Sequence, residues 1–201
     1  MSIDLEQLKH GTSAFPVDDV FLRRWSPRCF TTQPVTDDDL KTIFTAASWA
    51  ASSRNEQPWR FLIGPKGTPA WQKILDALVP TNQAWAKAAP VLYASVAKKT
   101  FSQNGAANGS AAHDVGAASA TASLQASLLG LHTHGMGGFD GNKLREAFAI
   151  PEDFEPVACW ALGYLGDPET VPEAMKEAEV APRLRKPLAD FLYSEWSKAA
   201  L

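Results

Sequence analysis

The chain has 201 residues, of which 45% are hydrophobic, 20% charged and 10% aromatic, a composition that excludes disordered and fibrous chains. Its 19 basic and 22 acidic residues nearly balance, which argues against a broad nucleic-acid surface. No apolar run reaches the roughly 20 residues of a membrane helix, and the first ten residues do not resemble a secretory signal. We therefore expect one cytoplasmic domain over 1–201 that binds neither nucleic acid nor membrane.

The cysteines and histidines do not suggest a metal centre. Cys29 and Cys159 are far apart in the chain and match no metal-ligand spacing. A chain of this length can bury a core without a disulfide or a metal, so each cysteine is expected to be buried and reduced. His132 and His134 are interpreted as ordinary polar residues, and no metal site is predicted.

Hydrophobic periodicity predicts helices that alternate with strands. Thr36 is a good N-cap, three aspartates follow it, and Pro80 is expected to end the second helix. The predicted helices cover 37–51, 69–79, 110–131 and 142–148, the predicted strands cover 59–63, 90–97 and 157–165, and turns are expected around Thr81 and Asn82 and over 132–140. The pattern indicates a layered α/β or α+β domain.

Two further segments lack a clear periodicity. Residues 101–110 are rich in Gly and Asn and predict a mobile loop. Four prolines interrupt the last part of the chain, Pro168, Pro172, Pro182 and Pro187. We expect this tail to wrap over another surface instead of forming a core of its own.

The segment Arg23–Arg28 suits an anion. Its guanidiniums offer paired planar donors, Ser26 adds a hydroxyl, and Pro27 fixes the local chain direction. A solvated basic helix end is the alternative interpretation. Arg183 and Arg185 form a second, late basic cluster, for which a solvated face is again the alternative.

Three more segments concentrate polar residues and glycines. In Ser52–Trp59, Asn55 and Gln57 offer donors and acceptors that suit the edge of a heterocycle, although an ordinary capped turn is the alternative. In Gly135–Asp140, glycines allow close approach of the backbone to a ligand, although a plain turn is the alternative. Asn82 is available for a ligand or for capping a turn.

The sequence lacks the motifs that indicate a catalytic nucleophile in the protein itself. It contains no Gly-x-Ser-x-Gly elbow, no Walker loop and no His-Glu-x-x-His helix. Chemistry carried by a cofactor fits this inventory better, with the protein supplying anion clamps, hydrogen bonds and shape.

In this order, the segments resemble the nitroreductase family of FMN-dependent oxidoreductases over Arg23 to Leu188. The stretch from Arg24 to Phe30 is similar to the family's opening motif Arg-x-Ser-x-Arg/Lys-x-Phe, in an Arg-Trp-Ser-Pro-Arg subgroup. Ser52–Trp59 is similar to Pro-Ser-Ser-x-Asn-x-Gln-Pro-Trp, with Ala51 in place of the first proline. Gly135–Asp140 is similar to the segment that passes flavin N5.

The resemblance implies an FMN site. Arg24 and Ser26 would hold the phosphate, Arg28 would lie near the pyrimidine side of the ring, and the main chain of Gly137 or Gly138 would contact N5. The implied cofactor-binding residues are Arg24, Trp25, Ser26, Arg28, Ser52, Ser53, Asn55, Asn82, Met136, Gly137, Gly138, Arg183 and Arg185. Of these, the two late arginines would complete the phosphate clamp, and the residues over 52–55 would reach FMN held mainly by a second subunit.

The resemblance also implies an α+β three-layer sandwich, with a central, mostly antiparallel sheet flanked by helices. It implies an intertwined homodimer in which residues 168–201 wrap the partner subunit. Many relatives build a helical lid where this chain has 101–110, so a more open site is expected.

The implied activity is a ping-pong reaction. NADH or NADPH gives a hydride to FMN and leaves, and a small acceptor such as a nitroaromatic or a quinone then takes its place. Three alternatives remain, namely an FMN-binding redox sensor or carrier, a specialised flavin dehydrogenase or dehalogenase on the same fold, and a colourless anion-binding module.

Overall fold

The computed structural model describes residues 4–201 and is built around a four-stranded antiparallel sheet. The strands are β1 (Trp59–Pro65), β2 (Val91–Lys98), β3 (His132–Met136) and β4 (Phe154–Gly163), in the order β1-β2-β4-β3. Residues 91–97 of β2 are all buried, as expected for a central strand covered on both faces. β1 and β3 form the two edges of this sheet.

Helices cover both faces of the sheet. The helices are α1 (Leu5–Lys9), α2 (Asp19–Arg23), α3 (Asp37–Ser48), α4 (Pro69–Ala77), α5 (Pro80–Ala86), α6 (Ala111–Leu128), α7 (Gly141–Phe148) and α8 (Glu173–Val180). Side chains of β2 alternate between the faces, so Val91 and Tyr93 pack with α3 and α6, whereas Leu92 and Ala94 pack with α4, α5 and α7. The predicted three-layer α+β sandwich is confirmed.

The long helix α6 carries mainly alanine and serine on its buried side. Ala118, Ala122 and Ala126 are fully buried and join the core that contains Ile43 and Ala47 of α3. Small side chains allow α3 and α6 to approach closely, as the composition of this segment predicts. Between residues 4 and 201, no helix is both long and apolar enough to cross a membrane.

Two sequence predictions about local structure were wrong. Pro80 does not simply end a helix, because it occupies the first turn of α5, and Thr81 and Asn82 lie inside that helix. The glycine-rich stretch from 132 begins as the edge strand β3, which pairs with β4 from His132 opposite Gly163 to Met136 opposite Cys159.

The first half of the tail packs on its own chain. Val171 belongs to a third core cluster with Leu5, Trp25 and Cys29, and Met175 and Val180 pack against it. Residues 184–201 are exposed throughout, and they end in a small hairpin of β5 (Tyr193–Glu195) and β6 (Lys198–Ala199).

Residues 101–110 form a loop, as predicted, and the loop is tied to its surroundings. Thr100 forms a β-bridge with Ala107. The Glu56 Oε1 atom accepts hydrogen bonds from the Ser102 backbone N at 2.9 Å and from its Oγ at 2.6 Å. The Arg54 guanidinium lies 5.0 Å from the centre of the Phe101 ring. These contacts differ from the free loop that the sequence suggested.

Both cysteines are buried and free, as predicted. Burial raises the pKa of the Cys29 thiol to about 12, and the nearby Glu179 carboxylate acts in the same direction. Burial alone raises the pKa of Cys159 to about 12. Neither thiol is therefore a nucleophile at neutral pH.

Candidate functional site

A basic cavity of about 290 Å³ lies where α1, the segment after α2 and the end of α8 meet. We call it the basic cavity. Its lining residues are mostly cationic or small: Lys9, Arg24, Trp25, Ser26, Arg28, Ala178, Glu179, Ala181, Pro182, Arg183 and Arg185. The fold thus joins the early and late arginine clusters, which are separated by more than 150 positions in the sequence.

Three of the arginines repel one another. Burial lowers the pKa of Arg24, and the charge of Arg185 lowers it further. Burial also lowers the pKa of Arg183, with added repulsion from Arg185 and Arg24. Among the carboxylates of residues 4–201, none forms an ion pair with any of these three side chains. A bound anion would relieve this repulsion.

Local structure fixes each side of the basic cavity. Arg24 is the C-cap of α2, and its Nη1 atom donates to Ser26 Oγ at 3.3 Å. Arg183 Nη1 donates to the carbonyls of Lys9 and Leu22, so this arginine also ties the end of the chain to its beginning. Arg185 is exposed and donates only to the carbonyl of Leu184, among the contacts of the described chain.

Sequence reasoning missed two charged residues of the basic cavity. Lys9 is 4% exposed, and its Nζ donates to the carbonyls of Ala178 and Ala181 at the end of α8. Burial lowers the pKa of Lys9, and the Glu179 carboxylate partly opposes this effect. Glu179 is 1% exposed and accepts a hydrogen bond from the Arg28 backbone N at 2.6 Å. Both lie in short charged helices that look like solvated surface in the sequence.

A second part of the candidate site lies at the end of β3. The Asn82 Nδ2 atom donates to the carbonyl of Gly138 at 3.0 Å, which brings two predicted residues together. A Cβ at Gly138 would lie 2.9 Å from Asn82 Nδ2 and 2.9 Å from Val79 Cγ2. A Cβ at Gly137 would meet no atom within 4 Å, so its backbone is open to a ligand. Met136 is 3% exposed, and its side chain belongs to the core.

His134 connects the two parts. Its Nδ1 atom forms a 2.9 Å hydrogen bond with the carbonyl of Pro27, and its ring lies 4.5 Å from that of Trp85. Burial lowers the pKa of His134, and the Arg28 charge contributes, so the imidazole is neutral at pH 7. Through His134, β3 therefore connects the Arg24–Arg28 segment to the open backbone at Gly137.

The predicted residues over 52–55 do not line the basic cavity. They form a 3₁₀ turn in which Ser53 N donates to Asp114 Oδ2 at 2.9 Å, and Ser52 Oγ accepts from Gln57 N at 3.0 Å. Asn55 is exposed. Its φ is 55°, and Arg54 and Gln57 have φ values of 53° and 51°. Three non-glycine residues in the left-handed region within four positions make a strained turn, a feature often found at functional sites.

His132 is buried, with its Nε2 atom 2.8 Å from Glu6 Oε1. No group of three or more metal-ligating side chains occurs in the part of the chain that the structure describes.

Comparison with known proteins identifies the family. The model of the Nitroreductase family matches residues 22–164. A crystal structure described as an oxidoreductase containing FMN is 38% identical, covers 92% of this chain and 95% of its own chain, and superposes with a TM-score of 0.87. The chain belongs to the nitroreductase family.

Two curated proteins are also similar. An uncharacterized 15.4 kDa protein in the ask 5' region of Mycolicibacterium smegmatis is 32% identical over 142 residues, which are 67% of this chain and 95% of that protein. A Rhodopseudomonas palustris (strain TIE-1) protein, whose name includes NADH dehydrogenase/NAD(P)H nitroreductase, is 30% identical over 74 residues, 37% of each chain.

The family match ends before α8, so Glu179, Arg183 and Arg185 lie outside it.

Proposed function

We propose that this protein is an FMN-dependent oxidoreductase that takes a hydride from NADH or NADPH and passes it to a small acceptor, such as a nitroaromatic or a quinone, in a ping-pong reaction. The observation that carries the proposal is the cluster of mutually repelling arginines in the basic cavity, two of them partly buried, in a chain of the nitroreductase family. The similarity to an oxidoreductase containing FMN supports the cofactor, and the name of the R. palustris relative supports the electron donor.

The residues present fit FMN. The phosphate carries two negative charges near neutral pH, and Arg24, Arg183 and Arg185 supply cations without carboxylate partners in the described chain. Ser26, already the acceptor of an Arg24 hydrogen bond, can donate its own proton to a phosphate oxygen. Trp25 is 5% exposed and contributes its backbone and its place in the third core.

The flavin ring would lie towards the end of β3. FMN, when bound, would accept a hydride from the nicotinamide donor at its ring and pass the electrons to the acceptor. Arg28 supplies a fixed positive charge that stabilises negative charge on the ring. Asn82 holds the carbonyl of Gly138, which leaves the backbone of Gly137 and Gly138 in one position, with open space at Gly137. The main chain of Met136 precedes them.

A homodimer is part of the proposal. Large apolar side chains of the outer tail face solvent in the single chain, and Trp196 is 91% and Leu184 83% exposed. Such exposure over 184–201 is typical of a surface covered by a partner. We assign the wrapping role to these residues and not to 168–180, which pack on their own chain. Ser52, Ser53 and Asn55 do not line the basic cavity, which supports a role for them at the FMN of the other subunit.

The visible absorption spectrum of the purified protein tests the proposal. We expect a yellow protein whose flavin bands bleach when NADPH or NADH is added without air, and recover when an acceptor is added. A yellow protein that does not bleach would indicate an FMN-binding sensor or carrier. Product analysis separates a specialised dehydrogenase or dehalogenase from a general reductase. A colourless protein that ignores added FMN would overturn the proposal.

A further inference from the structure

Glu179 is a buried carboxylate in the wall of a cavity otherwise lined by cations. Its side chain has 0% exposure, whereas Glu173 and Glu177 of the same helix are exposed. Within residues 4–201 it is the one acidic side chain among the lining residues of the basic cavity. It lies beyond the residues matched by the family model. The role proposed above for the arginines does not require it.

The carboxylate contacts Arg28 at two points. Its Oε1 atom accepts from the Arg28 backbone N at 2.6 Å and lies 3.4 Å from the Cys29 Sγ donor. Its Oε2 atom accepts from Arg28 Nη1 at 3.4 Å. The Glu179 side chain therefore holds both the backbone N–H and the guanidinium of Arg28. Because an arginine has many rotamers, two fixed points reduce the positions that its guanidinium can occupy.

A second contact fixes the carboxylate itself. Lys9 Nζ donates to the carbonyls of Ala178 and Ala181, the residues on either side of Glu179 and its neighbour Val180. Lys9 thus anchors the last turn of α8 to α1. Burying a charge is costly unless it is paired and hydrogen-bonded, and an apolar residue usually packs as well. The cost is explained if the charge has a task in the cavity.

We propose that Glu179 is a positioning residue that holds the Arg28 guanidinium against the wall of the basic cavity, so that its charge faces the ring of FMN. This inference rests on the proposed function. The Arg28 side chain remains 30% exposed, so donors of the guanidinium stay free for a ligand while Glu179 holds one of them. Glu179 acts through Arg28 and does not itself touch the cofactor.

The matched variants are Glu179→Gln and Glu177→Gln. Glutamine keeps the size of Glu179 but has one oxygen, so either Arg28 N or Arg28 Nη1 must face an amide NH₂ group. Glu177 is exposed on the same helix and has no side-chain contact to the basic cavity in the described chain, so E177Q makes the same charge change without the contact.

The first measurement uses the protein without flavin. Nitrogen NMR of the arginine side chains, with the Arg28 signal assigned by its loss in R28A, reports rotation of the guanidinium. We expect slow rotation in the wild type and in E177Q, and fast averaging in E179Q. Fast averaging in the wild type, or unchanged rotation in E179Q, would overturn the positioning role whether or not the protein binds FMN.

The second measurement is the reduction potential of bound FMN in the wild type, E179Q, R28A and the double variant. We expect R28A to lower the potential, E179Q to reproduce most of that shift, and E179Q to add no lowering in the R28A background. If E179Q lowered the potential equally in the wild-type and R28A backgrounds, action through Arg28 would be contradicted. A higher potential in E179Q than in the wild type would contradict it as well. If E179Q fails to fold, E179D, which keeps the charge on a shorter side chain, should give an intermediate potential, and a wild-type value would overturn the inference. A wild-type protein that does not bind FMN would instead reject the proposed function.

Discussion

Arginines that share one cavity can have separate tasks, because Arg24 faces its like-charged neighbours whereas Arg28 is held by Glu179. We predict that Arg24→Ala weakens FMN retention by roughly tenfold or more, in line with loss of a charge-assisted contact of about 1.5–3 kcal/mol. Arg28→Ala should mainly lower the flavin potential and slow reduction. Dissociation constants from fluorescence titration and potentials from dye equilibration check the division.

Equal loss of FMN in the R24A and R28A variants would contradict this division of tasks. Ser26→Ala and Asn55→Ala extend the test to the polar residues. If neither changes affinity or spectrum, these side chains serve only their turns.

The adjacent glycines at the end of β3 provide a matched pair. Gly138→Ala would place a Cβ 2.9 Å from two atoms of Asn82 and Val79, so we expect a loss of unfolding free energy of about 1–3 kcal/mol. Gly137→Ala has open space and should change stability by less than about 0.5 kcal/mol, but it should weaken FMN binding. Urea unfolding and flavin titration measure the two effects. Similar destabilisation by both changes would contradict the assignment.

His134 should make stability depend on pH. Burial lowers its pKa in the folded protein below 6.5, so the unfolded chain takes up the proton more readily. The free energy of unfolding should therefore fall as the pH drops through about 6.5 towards 5. His134→Asn keeps a donor for the Pro27 carbonyl and should give a shallower slope in thermal melts between pH 7 and 5. His113→Asn, at an exposed position, is the matched control. If the slope in H134N were the same as in the wild type, His134 would not be the source of the pH dependence of stability.

At the scale of elements, the Glu56 carboxylate is one of the groups that tie down the loop over 101–110. Glu56 accepts two hydrogen bonds from Ser102, and its Oε1 atom lies 3.7 Å from Lys98 Nζ. We predict that Glu56→Ala loosens the loop and speeds trypsin cleavage after Lys98 and Lys99 several-fold. Glu146→Ala, an exposed acid on α7, is the control. Unchanged cleavage in E56A would contradict this role of Glu56 and show that the other contacts of the loop suffice to hold it.

The sequence predicts an element well where the local signal and the packing agree. Thr36 caps α3 through Asp39 N, and the buried run of β2 lies in the centre of the sheet, as their patterns indicate. β3 could not be predicted, because its strand character comes from pairing with β4. Its glycine at 135 is needed since a Cβ there would lie 2.8 Å from the Trp160 ring. Such contacts depend on residues far away in the sequence.

The site shows the same division. The arginines were singled out from their clustering, and Asn82 and Gly138 from residue type together with the resemblance, because residue type and order carry that information. Lys9 and Glu179 were missed, since their burial depends on the meeting of α1 and α8, which no local pattern reports. A charged residue in a short helix looks like solvated surface until its partners are known.

For the molecule as a whole, the outer tail should control assembly. We predict that removing residues 189–201 lowers the dimer fraction in size-exclusion chromatography with light scattering, and weakens FMN retention. The fluorescence of Trp196, obtained as the difference between wild type and Trp196→Phe, should lie at shorter wavelength than that of a solvent-exposed tryptophan. A monomeric wild type, or a dimer that survives the deletion, would contradict the wrapping role.

The basic cavity is assembled from both ends of the described chain, with Lys9 on one side and residues 178–185 on the other. Domains fold progressively during synthesis, starting from the N-terminus. The central sheet is complete once β4 has left the ribosome, but the cavity then lacks α8 and the two late arginines. Nascent and prematurely terminated chains would therefore acquire a folded body before they acquire a cavity for an anion. A chain that lacks residues 178–185 would therefore have the central sheet but not the complete basic cavity.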